Sequence, residues 1–569
     1  MQKNTFLFIL FLFLTFQLFS QPEKLYLQNK TPEYNQIMDF YKSLDTLYPN
    51  AKLLEYGQAD CGFPIHLFVI DSNGSFDPDD QKNKAVILIN NGIHPGESCG
   101  VDASMNLAKN LLESGKIPKN VILAIIPIYN IGGALNRNSN SRANQNGPEE
   151  YGFRGNAKNL DLNRDFIKAD SKNARAFIRI FREWQPEIFI DTHTSNGADY
   201  QYIFTLLSTQ KNKLNPVLGT YLTDKLEPFI FQQMKEKGYP ATPYVYSVDK
   251  TPDSGIRAFM DLPRLSTGYT TLFNTIGLTT ESHMLKTFKE RVSVTLEFLT
   301  LITDYTDKNT DQIIANKKKA DDLTEIQKSF PVAWKWNDSI YSEIEFMGYE
   351  AAYKHSNISG GDRLYYDRSK PYTKTIPYYR DFDATITLEK PKYYIIPQAW
   401  QEVIDLLKLN KIEMIPLEKD SSIEVQVTHI KDYQTSKNPY ENHYLHYNVN
   451  TKVSNDELTF RSGDILIPMG KSTDYFVLSV LEPRAVDSYF AWNYFDAILQ
   501  QKEWFSAYVF EDEAAEILES SPNLKAEFEA KLASDTAFKN SSWARLYFIY
   551  ENSIHFEKSY MRYPVYRIE

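Results

Sequence analysis

An α/β domain followed by a β-rich or α+β region is the fold class that the sequence predicts. Two short apolar runs, Ala85–Asn90 and Val121–Ile128, have the unbroken character of strands buried on both faces. A helical pattern from Val101 to Glu113 lies between them, and strand, helix and strand in that order form a crossover unit of an α/β sheet. After about residue 325 the texture changes to short aromatic and β-branched segments, which marks the second region.

The remaining elements follow in chain order. Residues 32–50 read as a helix, with apolar positions at Ile37, Phe40, Tyr41 and Leu44. Strand-like segments at Ala51–Gln58 and Ile65–Asp71 precede a polar loop over residues 71–84. A long Asn-, Gly- and Arg-rich loop occupies residues 130–162, with a helix expected at about 170–184. Two further buried strands, Ile188–Asp191 and Ile276–Thr280, lead into His193 and Glu281. A helix from about 286 to 305 follows, and Asp307–Asp322 reads as a helix or linker closing the unit. Beyond it, Tyr372–Tyr379, Tyr393–Pro397, Ile423–Ile430, His443–Val453 and Asp464–Pro468 read as strands, with late helices at Asp512–Leu518 and Ala526–Ala533. The expected divisions are residues 1–20, 30–308 and 325–569. His443 and His446, three apart in an expected strand, point to opposite faces and read as surface histidines.

Bulk properties narrow the function classes. With 42% hydrophobic and 24% charged residues, the 569-residue chain is an ordinary globular one. Its net charge of −11, from 62 basic and 73 acidic residues, argues against a nucleic-acid partner, which demands a basic face. Lys3, the apolar run Phe6–Phe19 and small Ser20 before Gln21-Pro22 describe a secretory signal peptide over residues 1–20. That fourteen-residue run would rise about 21 Å as a helix, short of a hydrocarbon core of ~30 Å. The expectation is therefore a secreted or periplasmic protein with no membrane association after cleavage. Cys61 and Cys99 are the only cysteines, so they pair or stay as free thiols, and a metal site must use His and carboxylates.

The chemistry concentrates at strand ends, where open α/β sheets place their ligands. His94-Pro95-Gly96-Glu97 follows the first buried strand, and its Pro-Gly turn can direct imidazole and carboxylate toward one ion. His193, in Asp191-Thr192-His193-Thr194, completes a His₂Glu set that leaves a fourth position open, as in a catalytic zinc site. Glu281 ends another buried strand, and a carboxylate beside a metal-activated water can take its proton and pass it to a leaving group. His283 competes with His193 as a ligand, although on the strand it shares the face of Glu281 and would crowd it.

These segments, together with Asn163-Arg164 in Asn159-Leu160-Asp161-Leu162-Asn163-Arg164-Asp165-Phe166, resemble the zinc carboxypeptidases of the carboxypeptidase A type over roughly residues 30–305. The resemblance implies a mixed eight-stranded sheet flanked by helices, one Zn²⁺ held by His94, Glu97 and His193, and Glu281 as general base. It also implies that Asn163 and Arg164 bind the free carboxylate of a peptide, for which a guanidinium fork is well matched. An arginine that stabilises the oxyanion is expected upstream. Arg137, Arg142 and Arg154 compete for it, and Arg154-Gly155-Asn156-Ala157 has the spacing closest to the family's.

Two departures stand out. The family's Asn-Pro-Asp-Gly segment is Asn130-Ile131-Gly132-Gly133 here, and the tyrosine expected about twenty residues before the catalytic glutamate has no clear counterpart. Phe259 occupies that neighbourhood, and Tyr269 is the nearest substitute for substrate binding. The function implied is hydrolysis of the C-terminal peptide bond. The alternatives are a zinc amidohydrolase or deacylase acting on peptidoglycan fragments or acylated amino acids, and a non-catalytic binding protein.

Overall fold

The computed structural model describes residues 21–80 and 83–569. The signal-peptide expectation over residues 1–20 lies outside them. No helix among the described residues is long and apolar enough to cross a membrane.

Helix α1 (Tyr34–Leu47) buries Ile37, Phe40, Tyr41 and Leu44, the face that the apolar spacing predicts. Strands β1 (Ala51–Gln58), β2 (Pro64–Ile70), β3 (Ala85–Asn90) and β4 (Val121–Ile126) follow, with α2 (Cys99–Ser114) crossing from β3 to β4. After α3 (Lys172–Trp184) come β5 (Ile188–Ser195), β6 (Phe204–Ser208), β7 (Ala241–Pro243), the two-residue β8 (Ile256–Arg257) and β9 (Ile276–His283). All but β8 form one mixed eight-stranded sheet in the order β1-β2-β4-β3-β5-β9-β6-β7. Strands β4, β3, β5 and β9 run parallel at its centre, while β1-β2, β2-β4 and β6-β9 pair antiparallel. Every residue of β3, β4 and β5 is buried, which explains their lack of polar alternation. The chain winds from β3 to β4 on one side and returns to β5 on the other. The carboxyl ends of β3 and β5 therefore flank a switch point, the place where such sheets bind ligands.

Helix α4 (Phe288–Ile326) is one 39-residue helix that absorbs both the expected helix and the polar segment after it. Thr287 and Glu290 form a capping box at its start, and no Pro or Gly interrupts it; Asn309 marks a local kink. Thr310, Ile313, Ala320 and Thr324 keep one face buried through the polar stretch, so no linker separates the two regions.

Beyond α4, β10 (Ser329–Trp336), β11 (Ser342–His355), β12 (Asp362–Tyr379) and β13 (Phe382–Glu389) make long antiparallel pairs. Strands β14 (Tyr393–Ile396), β15 (Ile415–Pro416), β16 (Ser421–Thr435), β17 (His446–Phe460), β18 (Ile465–Pro468) and β19 (Tyr566–Ile568) form a six-stranded sheet ordered β15-β18-β14-β19-β16-β17. Late helices Ala507–Ser520, Pro522–Ser534 and Ser542–Glu551 share a small core of their own. The rest of the second region joins the first. Phe476 stacks on Phe273 at 5.0 Å, and β12 pairs with β8 in parallel. Cys61 and Cys99 are both free thiols.

Candidate active site

Gly92 turns the chain out of β3 with a φ of +65°, and a Cβ there would lie 3.1 Å from the Ile128 side chain. His94 and Glu97 follow on that turn. β5 delivers His193 beside them, and β9 pairs with β5 so that Glu281 is the register partner of His193. His94, Glu97 and His193 are buried and offer ligand atoms that all lie within 4.8 Å of one another.

Both imidazoles turn the same nitrogen inward. His94 Nδ1 faces Glu97 Oε1 at 3.4 Å, and His193 Nδ1 faces Glu97 Oε2 at 3.2 Å. Both outer nitrogens meet carboxylates: His94 Nε2 lies 2.9 Å from Asp161 Oδ1, and His193 Nε2 lies 3.0 Å from Asp191 Oδ2. Carboxylates behind histidines fix ring orientation and raise ligand basicity, the support that metal-binding histidines carry. Two imidazoles and one carboxylate form a donor set that fits zinc. Burial alone would raise the Glu97 carboxyl, yet His94, Arg142 and His193 hold it well below the usual range. Burial would likewise lower His193, but Asp191 and Glu97 raise it well above an ordinary histidine.

The three residues open into a cavity of about 470 Å³, also lined by Arg142, Arg154, Asn163, Arg164, Tyr244 and Glu281. Burial pushes the Glu281 carboxyl up to about 8; His193 opposes this, while Glu97 and Asp191 add to it. Two of the three candidate arginines reach the site. Arg154 donates through Nε to Asp161 Oδ2 at 3.0 Å, and its Nη1 lies 3.7 Å from Glu97 Oε1. Arg142 donates to Glu97 Oε1 at 2.9 Å and passes so close over Gly96 that a Cβ there would lie 2.5 Å from its Cδ. Arg137 turns away to the carbonyls of Thr31 and Pro32. Asn163 Oδ1 accepts the Ser266 N–H at 3.2 Å, which anchors the segment carrying Arg164 to the opposite wall.

Two expected residues lie elsewhere. Tyr269 is fully buried, donates to Asn410 Oδ1 at 2.6 Å and packs among Phe166, Phe177, Phe181, Phe273 and Phe476, so it cannot touch a substrate. The competing ligand His283 donates through Nε2 to Ala198 O at 2.8 Å and accepts the Leu285 N–H at Nδ1. Burial lowers its pKa to about 4, and neither nitrogen is left for a metal.

Sequence reasoning missed Tyr244, which follows β7 and enters the cavity. Burial raises its pKa, with further contributions from Glu281 and Glu97. It lies far upstream of the expected tyrosine position, and only the pairing of β6 with β9 carries it to the site. The second region also reaches these loops. The Asp161 N–H donates to Glu441 Oε2 at 2.8 Å, and His443 Nε2 lies 2.9 Å from Asp170 Oδ2. His446 is buried between Thr435 and Asp496, so neither it nor His443 is a plain surface histidine.

The sheet's strand ends thus bring together, in one cavity, three residues that could hold a metal ion. Residues 37–200 match the family model of zinc carboxypeptidase. No curated protein sequence matches it. Similar solved structures include a metallo-carboxypeptidase from Burkholderia cenocepacia, 18% identical over 48% of this chain and 69% of that one, with a TM-score of 0.37. A metallo-carboxypeptidase from Pseudomonas aeruginosa is 12% identical over 49% and 69%, with a TM-score of 0.37. A carboxypeptidase A from Helicoverpa armigera is 15% identical over 50% and 75%, with a TM-score of 0.35.

Proposed function

We propose that the protein is a zinc metallocarboxypeptidase that hydrolyses the C-terminal amide bond of peptides. One observation carries the reading: a His₂Glu donor set, the half-buried Glu281 and an Asn-Arg pair share a single cavity.

His94, Glu97 and His193 would hold the ion, with Asp161 and Asp191 orienting the two rings. Bound there, zinc supplies Lewis acidity to the scissile carbonyl and to the attacking water. Arg164 and Asn163 grip the terminal carboxylate, fixing the scissile bond in place. Glu281 takes a proton from the attacking water and hands it to the leaving amine, a cycle that leaves the carboxylate unchanged. Arg154 donates to the developing oxyanion, and Arg142 holds Glu97 in its orientation. Tyr244, in the wall of the same cavity, is a further hydroxyl donor toward the substrate.

The test is zinc content combined with cleavage of one peptide in two forms. The purified chain should bind one zinc and release the last residue of the free-acid peptide, with the C-terminally amidated form resistant. Equal cleavage of both forms would favour the amidohydrolase alternative.

A further inference from the structure

The late helices carry a second group of chemistry-bearing side chains, none of which lines the cavity. Helix Ser542–Glu551 sets Trp543, Tyr547 and Glu551 four residues apart, on one face. Trp543 and Tyr547 stack at 4.7 Å, and Trp504 lies tilted beside both, at 6.3 and 6.2 Å. Tyr547 donates to Gln501 Oε1 at 2.9 Å, and Glu557 Oε1 accepts the N–H groups of Lys502 and Glu503. Those bonds hold the segment that presents Trp504. Trp504 and Trp543 nevertheless remain 57% and 53% exposed, and a fixed aromatic surface facing water marks an interaction site.

Charge decides what such a surface takes. Residues 501–560 contain eleven acidic and six basic residues, which argues against an anionic partner. Burial raises the Tyr547 pKa, and Glu551 and Glu557 are among the groups that add to it, so negative potential reaches the rings. Aromatic faces attract cations, and the planar guanidinium also stacks on them. Elsewhere the chain supplies its own cations: Lys250 lies over exposed Tyr353, and Lys374 over Tyr372. Here the module's cations turn away, Lys502 to Gln500, Lys531 to Phe538 and Phe548, and Arg545 to Phe528. Among the described residues, no lysine or arginine lies over Trp504, Trp543 or Tyr547. We infer that this surface binds an arginine-bearing segment of a partner peptide, its guanidinium groups laid on Trp504 and Trp543 and its charge met by Glu551. The site stands apart from the catalytic reading and does not depend on it.

The full chain is titrated by calorimetry with an N-acetylated, C-terminally amidated hexapeptide of alternating arginine and glycine. The amide removes the free carboxylate, so the Asn163 and Arg164 pair is not what is read. The peptide should bind, more weakly as salt rises, and should exceed its uncharged citrulline counterpart in affinity by at least about fivefold. Trp504→Ala and Trp543→Ala should each raise Kd about threefold, and together about tenfold. If the alanine variants fail to fold, the comparison of arginine with citrulline on the wild-type chain decides alone. Equal affinity for the two peptides, or an unchanged Kd in the double variant, would overturn the inference. A neutral chitooligosaccharide that needs both tryptophans, bound by a chain that ignores the arginine peptide, would overturn it too. So would self-association that needs both tryptophans and excludes the peptide.

Discussion

The central sheet and the region after residue 325 contribute to the cavity in different ways. Every lining residue precedes residue 285, and the three proposed metal donors and Glu281 come from the ends of β3, β5 and β9 or the turn just beyond. The second region supplies no lining group and instead holds the loops that do. Glu441 accepts the Asp161 N–H, His443 meets Asp170, Asp487 pairs with Arg264, and Arg368 donates to Asp199. Strand ends place reactive groups because the sheet is rigid. Loops between them need a second body to fix them, and here the same chain provides it.

Substitutions test that division, in order of expected effect. His193→Ala should abolish stoichiometric zinc binding and bring peptide cleavage below detection, measured by metal analysis and by kcat/KM. Glu281→Gln should keep zinc and lower kcat by about 10²- to 10⁴-fold, the usual cost of losing a general base. Asp161→Asn or Asp191→Asn should weaken zinc affinity by roughly 10- to 100-fold in a chelator competition, as removing a carboxylate behind a ligating histidine does. Glu441→Ala removes one hydrogen bond to the Asp161 backbone and should cost only about 3- to 10-fold in kcat/KM. A Glu441→Ala loss as large as that of Glu281→Gln would mean that the second region is part of the chemistry after all.

A pH effect distinguishes the sheet's own stability from its activity. Glu187, just before β5, accepts the Val86 N–H at 2.7 Å, and burial pushes its pKa up to about 7, with Lys317 opposing. A carboxyl raised in the folded state favours folding in its protonated form. That contribution is complete below the unfolded pKa of about 4.3 and is lost as pH rises through 7. Urea unfolding between pH 4.5 and 8 should therefore show a decline that Glu187→Gln flattens.

How much of this was legible in the sequence depended on distance along the chain. The strands that lead into His94, His193 and Glu281 were visible because burial on both faces leaves an unbroken apolar run. Tyr244 was not visible, because it lies between β6 and β9 in a stretch of short elements whose route only tertiary pairing determines. Tyr269 misled for a related reason: its five-residue helix turns the ring into an aromatic core, and no periodicity shows in so short an element. His443 and His446 read as surface residues because their partners, Asp170 and Asp496, are remote in sequence. The Asp307–Asp322 segment left helix and linker open because its buried face consists of isolated residues among charges.

The most direct measurement of the central claim is zinc content and free-acid peptide cleavage, read together on the wild-type chain and on Glu281→Gln. The account predicts one zinc per chain in both proteins and cleavage by the wild type alone. Full activity in Glu281→Gln, or a wild-type chain that cleaves the peptide with no zinc bound, would contradict it.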